Sequence, residues 1–156
     1  KIVPTKDLAL VFAKIGPEPL LSTFTALIFY NQLQRRARTT IKAAILDQSM
    51  VAGIGNIYAD ESLFMARLQP SRLVNSLTLA DVKRLYTAIR SVLTKSIRAR
   101  GTSFNSYRDG LGREGTYWEK RLVYGRKGEP CPRCGWPIQK TVVAGRGTCY
   151  CKKCQG

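Results

Sequence analysis

Two cysteine motifs, Cys131-Pro132-Arg133-Cys134 and Cys151-Lys152-Lys153-Cys154, decide how the last segment of the chain folds. Sixteen residues separate them, and four thiolates at this spacing suit one tetrahedral zinc ion. A segment this short buries too little apolar surface to fold alone, so zinc binding is expected to drive its folding. The four cysteines are therefore predicted to hold one structural Zn²⁺ per chain.

The residues between the two motifs predict a β-hairpin. Ile138 to Val143 and Thr148 to Tyr150 alternate as two strands around Ala144-Gly145-Arg146-Gly147. Arg146 is expected at the tip of this hairpin, where a guanidinium can make bidentate contacts to phosphate. A solvated arginine with no ligand fits the local sequence equally well. Cys149, the fifth cysteine, is expected to be a strand residue and not a nucleophile.

The composition favours a nucleic-acid-binding protein. The chain has 156 residues, enough for one ordinary core beside the zinc module. Twenty-six Lys and Arg against ten Asp and Glu give a net charge of +16, which calls for an anionic partner. The basic residues are spread over the whole chain and not along one amphipathic helix, so nucleic acid is favoured over a membrane surface. The lack of histidine excludes His-based catalytic triads.

The sequence also predicts where the protein acts. The longest apolar run, around Phe24 to Tyr30, is too short to span a bilayer, and the N-terminus does not resemble a signal peptide. Paired cysteines fit a reducing compartment that supplies metal. We therefore expect an intracellular, cytoplasmic protein without a membrane partner, and a monomer. Because the chain opens at Lys1 without Met, it is expected to be a fragment of a longer protein.

Five helices are predicted ahead of the hairpin, which makes the fold mostly α. The last of them is the clearest, because Thr78 and Asp81 resemble a capping box and apolar residues recur at helical spacing until Gly101. The five predicted helices cover residues 1–16, a segment capped by Ser22 or Thr23, a segment capped by Thr39 or Thr40, residues 57–68, and the segment that begins after Thr78.

A long loop is predicted from Gly101 to Gly128, because this stretch loses the helical pattern and contains six glycines. Tyr107, Tyr117 and Trp118 lie in it. These rings fit base stacking, and packing against the helices explains them equally well.

The stretch Gly53-Ile54-Gly55-Asn56, directly before a helix, is a candidate phosphate site. Gly53 and Gly55 let the backbone approach a ligand, and the N–H groups at a helix start attract anions. The alternative is a plain turn in which Asn56 is only the N-cap.

A basic group precedes this glycine loop and is a second candidate for phosphate contact. Such runs are more often solvated faces. Asp60 and Glu61, which follow the loop, are expected to point away from DNA or to be paired inside the protein. The basic group consists of Arg35, Arg36, Arg38 and Lys42.

Five motifs in this order resemble the formamidopyrimidine-DNA glycosylase and endonuclease VIII family. They match its C-terminal half, a helix-two-turns-helix bundle followed by a small zinc-bound β-hairpin, the zinc finger. The resemblance implies a DNA-binding domain over residues 1–100, a lesion-capping loop and linker over 101–122 and the zinc finger over 123–156. The motifs are Gly16 to Leu20, Ile41 to Gln48, Val51 to Glu61, Val123 to Cys131, and Gly145 to Thr148 leading into Cys151.

The resemblance also assigns roles to individual residues. Asn56 would bind the DNA backbone beside the lesion, together with Lys42 and Arg38. Arg146 would hold the phosphate from the zinc-finger side and take part in catalysis of the lyase steps. The loop over 102–117 looks like the lesion-capping loop of the formamidopyrimidine branch, which favours oxidised purines such as 8-oxoguanine and formamidopyrimidines as substrates.

By this resemblance the parent protein is a DNA glycosylase with AP lyase activity in base excision repair. Its partner is double-stranded DNA with oxidised bases or abasic sites. The catalytic N-terminal proline of the family has no counterpart in residues 1–4, so the fragment alone is predicted to be inactive. The alternative is a stand-alone zinc-containing nucleic-acid-binding module of ribosomal or chromatin type, which explains the charge and the zinc motif equally well.

Overall fold

The computed structural model describes residues 15–101 and 115–156, and these ranges confirm the predicted mostly α fold with a terminal hairpin. The helix predicted over 1–16 and nearly all of the loop over 102–117 lie outside them. Among the described residues, none of the helices has the length and hydrophobicity of a transmembrane span. In chain order the elements are α1 (Ala26–Gln34), α2 (Ile41–Leu46), α3 (Asn56–Ala66), a 3-10 helix (Val74–Ser76), α4 (Leu79–Arg98), a second 3-10 helix (Tyr117–Lys120), β1 (Gln139–Val143), β2 (Arg146–Tyr150) and α5 (Lys152–Gln155).

The first described helix begins later than predicted. Thr25, and neither Ser22 nor Thr23, is the N-cap of α1, and its hydroxyl accepts from the N–H of Ile28 at 3.3 Å. The reason is Phe24, whose ring is buried in the core and whose N–H donates to Leu21. The chain therefore has to complete a turn before the helix can start.

The caps of α2 and α4 agree with the sequence. Thr40 caps α2 by accepting from the N–H of Ala43, whereas the Thr39 hydroxyl donates back to the preceding turn. Thr78 and Asp81 form the predicted capping box at the start of α4, with bonds of 3.1 and 3.0 Å. Both caps satisfy N–H groups that a helix start leaves without partners.

Helix α3 is the centre of the molecule, because it contacts α2, α4, β2 and α5. It ends at Ala66, two residues before the predicted end at Leu68, since Arg67 takes a left-handed conformation (φ 59°). Leu68 stays buried and its N–H donates to Leu63, which closes the helix end. Contact on several sides explains why α3 lacks one apolar stripe. Its buried residues are Ala59, Asp60, Glu61, Ser62, Leu63, Phe64 and Ala66.

The hairpin turn is tighter than predicted. β1 and β2 are antiparallel, with Gln139 opposite Tyr150 at one end and Val143 opposite Arg146 at the other. Only Ala144 and Gly145 form the turn, with φ of 53° and 69°, the positive values typical of two-residue hairpins. Arg146 is therefore the first residue of β2, beside the turn and not at its tip.

The zinc hairpin is not a free-standing module, because Phe64 of α3 belongs to its apolar core. The Arg133 guanidinium lies 4.5 Å from the centre of the Phe64 ring and also donates to the Phe64 carbonyl at 3.2 Å. The hairpin thus packs directly on the central helix. The other buried members of this core are Val123, Cys131, Ile138, Cys149 and Cys151.

Candidate metal centre and nucleic-acid interface

The four predicted zinc ligands come together. The Sγ atoms of Cys131, Cys134, Cys151 and Cys154 all lie within 4.8 Å of one another, with separations of 3.9 Å for Cys131–Cys154 and 3.5 Å for Cys134–Cys151. Zn–S bonds of about 2.3 Å in a tetrahedron place the sulfurs about 3.8 Å apart. The cluster therefore fits a zinc ion held by four thiolates, which leaves no coordination position open for a substrate.

Cys149 is separate from this cluster. It lies in β2, as predicted, and is buried. Its backbone N–H donates to Asp60 Oδ2 of α3 at 2.8 Å. The residue therefore attaches the hairpin to the central helix through its main chain.

A buried ion pair joins α2 to α3 beneath the hairpin. Lys42 Nζ lies 2.6 Å from Asp60 Oδ1, and both side chains are 0% exposed. The ammonium also donates to Thr148 Oγ1 at 2.7 Å and to the Gly147 carbonyl at 3.1 Å. All three ammonium hydrogens thus have acceptors, which is the condition for burying such a charge.

Burial shifts the pKa of both members of this pair towards the neutral form. It raises the pKa of Asp60 to about 6, although the Lys42 charge and hydrogen bond oppose the shift. It lowers the pKa of Lys42, against the attraction of Asp60. Near neutral pH the two groups therefore depend on each other to stay ionised.

This placement corrects the prediction that Lys42 contacts DNA. Its ammonium is enclosed by Asp60, Gly147 and Thr148, so it cannot reach a phosphate in this conformation. The prediction that Asp60 is paired inside the protein is confirmed. The same holds for Glu61, whose carboxylate accepts from three consecutive N–H groups, those of Leu122, Val123 and Tyr124, at 2.7, 2.9 and 2.9 Å.

Asn56 is the second residue that reaches the hairpin. Its Nδ2 donates to the Gly147 carbonyl at 3.0 Å, so Asn56 and Lys42 share one acceptor. The alternative prediction that Asn56 is only an N-cap is wrong, because Gly55 occupies that position and Asn56 is the first helical residue. Asn56 Oδ1 is buried and has no hydrogen-bond partner among the described residues.

The glycine loop is braced by Gln48, a motif residue to which the sequence assigned no role. Gln48 Oε1 accepts from the Gly53 N–H and Gln48 Nε2 donates to the Ile54 carbonyl, both at 2.9 Å. Gly53 has φ 78°, which favours glycine, whereas Gly55 is extended (φ −93°) and has open space where a Cβ would lie. Gly55 is therefore not required by the backbone.

The predicted basic group divides into three kinds of residue. Arg36 pairs with Asp47 at 3.0 Å, Lys42 is buried, and Arg35 and Arg38 are exposed without an ion pair in the described ranges. Arg146 is also exposed and unpaired there. The structure thus brings Lys42, Asn56 and the residues after Arg146 together, and it places Arg38 in the turn between α1 and α2.

A cavity of about 520 Å³ opens between the start of α3 and the hairpin. The Trp118 ring forms part of its wall, and the Arg121 guanidinium lies 3.9 Å from the centre of that ring.

Tyr117 is buried, and its ring lies 5.8 Å from the ring of Tyr58. Of the two roles predicted for Tyr117, base stacking and packing against the helices, the structure therefore favours packing. Burial also raises the pKa of the Tyr117 hydroxyl well above its ordinary value. Tyr107 lies outside the described residues.

The fold and the four-cysteine cluster define a helix-two-turns-helix protein with a zinc finger. Two family models match the chain: the formamidopyrimidine-DNA glycosylase H2TH domain over residues 15–107 and the zinc finger found in FPG and IleRS over 128–156. The chain belongs to the formamidopyrimidine-DNA glycosylase family.

Curated relatives agree with this assignment. The chain is 52% identical to the formamidopyrimidine-DNA glycosylase of Symbiobacterium thermophilum, over 92% of this chain and 47% of that protein. It is 46% identical to the same enzyme of Desulforamulus reducens, over 99% of this chain and 56% of that protein. The chain thus spans about half the length of the relatives it matches.

Solved structures agree as well. The crystal structure of MutM (Fpg) from Thermus thermophilus superposes with a TM-score of 0.89 at 45% identity, covering 97% of this chain and 57% of that one. A Lactococcus lactis FPG mutant bound to Fapy-dG-containing DNA gives a TM-score of 0.88 at 39% identity, covering 98% and 56%.

Proposed function

We infer that the chain is the DNA-gripping half of a formamidopyrimidine-DNA glycosylase that removes oxidised purines from duplex DNA. One observation carries this proposal: Asn56 donates to the carbonyl of Gly147, the residue directly after Arg146. The helix start and the hairpin arginine are thereby held side by side. Relatives in complex with Fapy-dG DNA and with abasic-site DNA support the choice of partner.

Arg146 and Asn56 are the residues that would hold phosphate. The exposed Arg146 guanidinium offers a fork of donors, and Asn56 Nδ2 keeps one hydrogen free when the other is bound to Gly147. The Gly53 to Asn56 backbone would approach the same strand at a helix start, where anions are favoured. Arg38 would reach the DNA separately, from the turn before α2.

Lys42 would act on DNA only through the protein. Its bonds to Gly147 and Thr148, together with the bond from the Cys149 N–H to Asp60, fix three consecutive residues of β2 against α2 and α3. Zinc would fix the other end of the hairpin. Arg146 is then positioned by two independent anchors, a metal and a buried ion pair.

The chemistry of the whole protein is inferred from the family. In it a secondary amine would attack C1′ of a flipped nucleotide and break its glycosidic bond, so that the damaged base leaves and a Schiff base forms. β,δ-Elimination from that Schiff base would then cleave the strand, with Arg146 assisting the lyase steps. The chain spans about half the length of its relatives, and we expect these 156 residues by themselves to bind DNA without excising the base. We also infer a monomer that acts with the DNA in the cytoplasm, since a charge of +16 opposes self-association.

The test compares three 20-base-pair duplexes, which carry 8-oxoguanine, an abasic-site analogue or no lesion, in fluorescence anisotropy titrations at fixed salt. The proposal predicts tighter binding to the two damaged duplexes and no borohydride-trapped adduct on the 8-oxoguanine duplex. Equal affinity for all three would favour the stand-alone module, which the comparisons do not support. A trapped adduct would overturn the expected inactivity of the isolated chain.

A further inference from the structure

Trp136 is an exposed aromatic residue on the zinc finger that has no evident role in the fold. It is 51% exposed. Within the described ranges its indole ring makes no aromatic, cation–π or hydrogen-bond contact. A tryptophan in such a position adds little to the core, so its ring is free to contact a ligand.

The main chain of Trp136 is nevertheless fixed. Its carbonyl accepts from the N–H of Cys131 at 2.9 Å. Cys131 is a predicted zinc ligand, and Trp136 lies two residues after Cys134, another predicted ligand. The ring is therefore held on a rigid turn, which lowers the entropy cost of using it as a binding surface.

Two lysines share the surface of this ring. Lys152 and Lys153 lie between the ligands Cys151 and Cys154, are exposed, and form no ion pair with any described residue. Together with Trp136 they line a shallow cavity of about 340 Å³. The surface thus combines a flat aromatic face with two positive charges, and it is referred to below as the Trp136 platform.

The charge of the surrounding module favours an anionic ligand. Residues 123–156 contain seven Lys and Arg and one acidic residue, Glu129, which is paired with Arg126 at 2.7 Å. Four thiolates and one Zn²⁺ would leave about +4 on the module. The platform therefore lies in a positive field even after zinc binding.

The platform lies away from Arg146. Arg146 starts β2 beside the hairpin turn, whereas Trp136 precedes β1 and the two lysines follow β2 at the opposite end. The length of β2 alone separates the two ends by roughly 13 Å. A ligand on the platform would thus be additional to a phosphate held by Arg146.

We propose that the Trp136 platform binds an unpaired nucleotide of single-stranded DNA, with the base stacked on the indole and the adjoining phosphates on Lys152 and Lys153. Only an unpaired base exposes its face, and stacking of this kind tolerates any base. Lysine ammonium groups suit phosphates whose orientation varies. An acidic peptide would satisfy the lysines but leave the indole face without a flat partner.

The test measures binding of the whole chain to a fluorescent 12-residue oligo(dT) at 50 mM salt. Trp136→Ala is expected to weaken binding about tenfold, and Trp136→Phe less, because a smaller ring still stacks. An oligomer of the same length made only of abasic residues should bind the wild type and Trp136→Ala equally. Oligo(dT) should also quench the tryptophan fluorescence of the wild type but not that of Trp136→Phe.

Matched variants separate this site from duplex binding. Lys152→Ala/Lys153→Ala should weaken oligo(dT) binding more than Lys95→Ala/Lys120→Ala, which removes the same charge elsewhere. Duplex affinity should change less than twofold in Trp136→Ala, whereas Arg146→Ala should mainly affect the duplex, so the proposed function and this inference can fail independently. Unchanged oligo(dT) affinity in Trp136→Ala, with normal zinc content, would overturn the inference. So would Trp136-dependent binding of poly-glutamate in place of oligo(dT).

Discussion

Lys42 and Asp60 form an ion pair of 2.6 Å between α2 and α3, and neither side chain reaches solvent. The pair also holds β2, because Lys42 donates to Gly147 and Thr148 while Asp60 accepts from Cys149. The helical bundle and the zinc finger are therefore joined by charge as well as by apolar packing. Disturbing this pair is therefore expected to change both stability and DNA binding.

Asp60→Asn is expected to lower the free energy of unfolding by about 3–5 kcal/mol, because it leaves the Lys42 charge buried without a counter-charge. Urea unfolding followed by circular dichroism measures this loss. The double variant Lys42→Met/Asp60→Asn should lose less free energy of unfolding than the two single variants added together. The difference should exceed about 1 kcal/mol. The exposed pair is the control: Arg36→Gln should cost at most about 1 kcal/mol. Similar losses for Asp60→Asn and Arg36→Gln would contradict the buried-pair account.

The Asp60 carboxyl is expected to titrate near pH 6, because burial raises its pKa. A raised folded-state pKa means that the folded chain keeps this proton between about pH 4 and 6 while the unfolded chain releases it. A carboxyl-carbon NMR titration measures the pKa, and Lys42→Met should raise it further. A pKa near 4 would contradict this prediction.

Two glycines of the same loop are expected to respond differently to alanine. Gly53→Ala should destabilise the fold by about 1 kcal/mol, since φ 78° strains any residue with a Cβ. Gly55→Ala should leave stability unchanged, because its backbone is extended and the Cβ meets open space. If DNA approaches this backbone, Gly55→Ala should still weaken duplex binding. Thermal unfolding and anisotropy titrations of both glycine variants test this prediction, and a loss of stability in Gly55→Ala would contradict it.

Removing zinc is expected to unfold the hairpin and to weaken duplex binding, because the metal supplies folding free energy to this module. Atomic absorption should give one zinc per chain. Cys151→Ala should lose the metal, whereas Cys149→Ala should keep it, since Cys149 lies outside the ligand cluster. Full zinc content in Cys151→Ala would rule out the four-cysteine site.

Local signals predicted the parts of the fold that depend on local chemistry. The capping box at Thr78 and Asp81, the cap at Thr40 and the zinc ligands are set by residues close in sequence, or by a ligand spacing that is itself a sequence pattern. Phe24 shows the limit, because its burial in the tertiary core moved the first cap to Thr25.

The candidate site was harder to predict because its contacts are long-range. Lys42 looked like one more exposed cation of a basic run, yet its partners are Asp60, 18 positions later, and Thr148, 106 positions later. The spacing of apolar residues along the predicted helices does not indicate either contact. Gln48 is a similar case, since only the folded loop shows that its amide braces Gly53.

The grip of one DNA strand between α3 and the hairpin is tested most directly by the salt dependence of duplex binding in Arg146→Ala. Binding is expected to be weaker, and the slope of log Kd against log salt is expected to be shallower by about one, because one phosphate contact is lost. Arg98→Ala, which removes an exposed arginine at the end of α4, is the matched control and should leave affinity and slope unchanged within error. An Arg146→Ala chain with wild-type affinity and slope, and with its zinc still bound, would contradict the account.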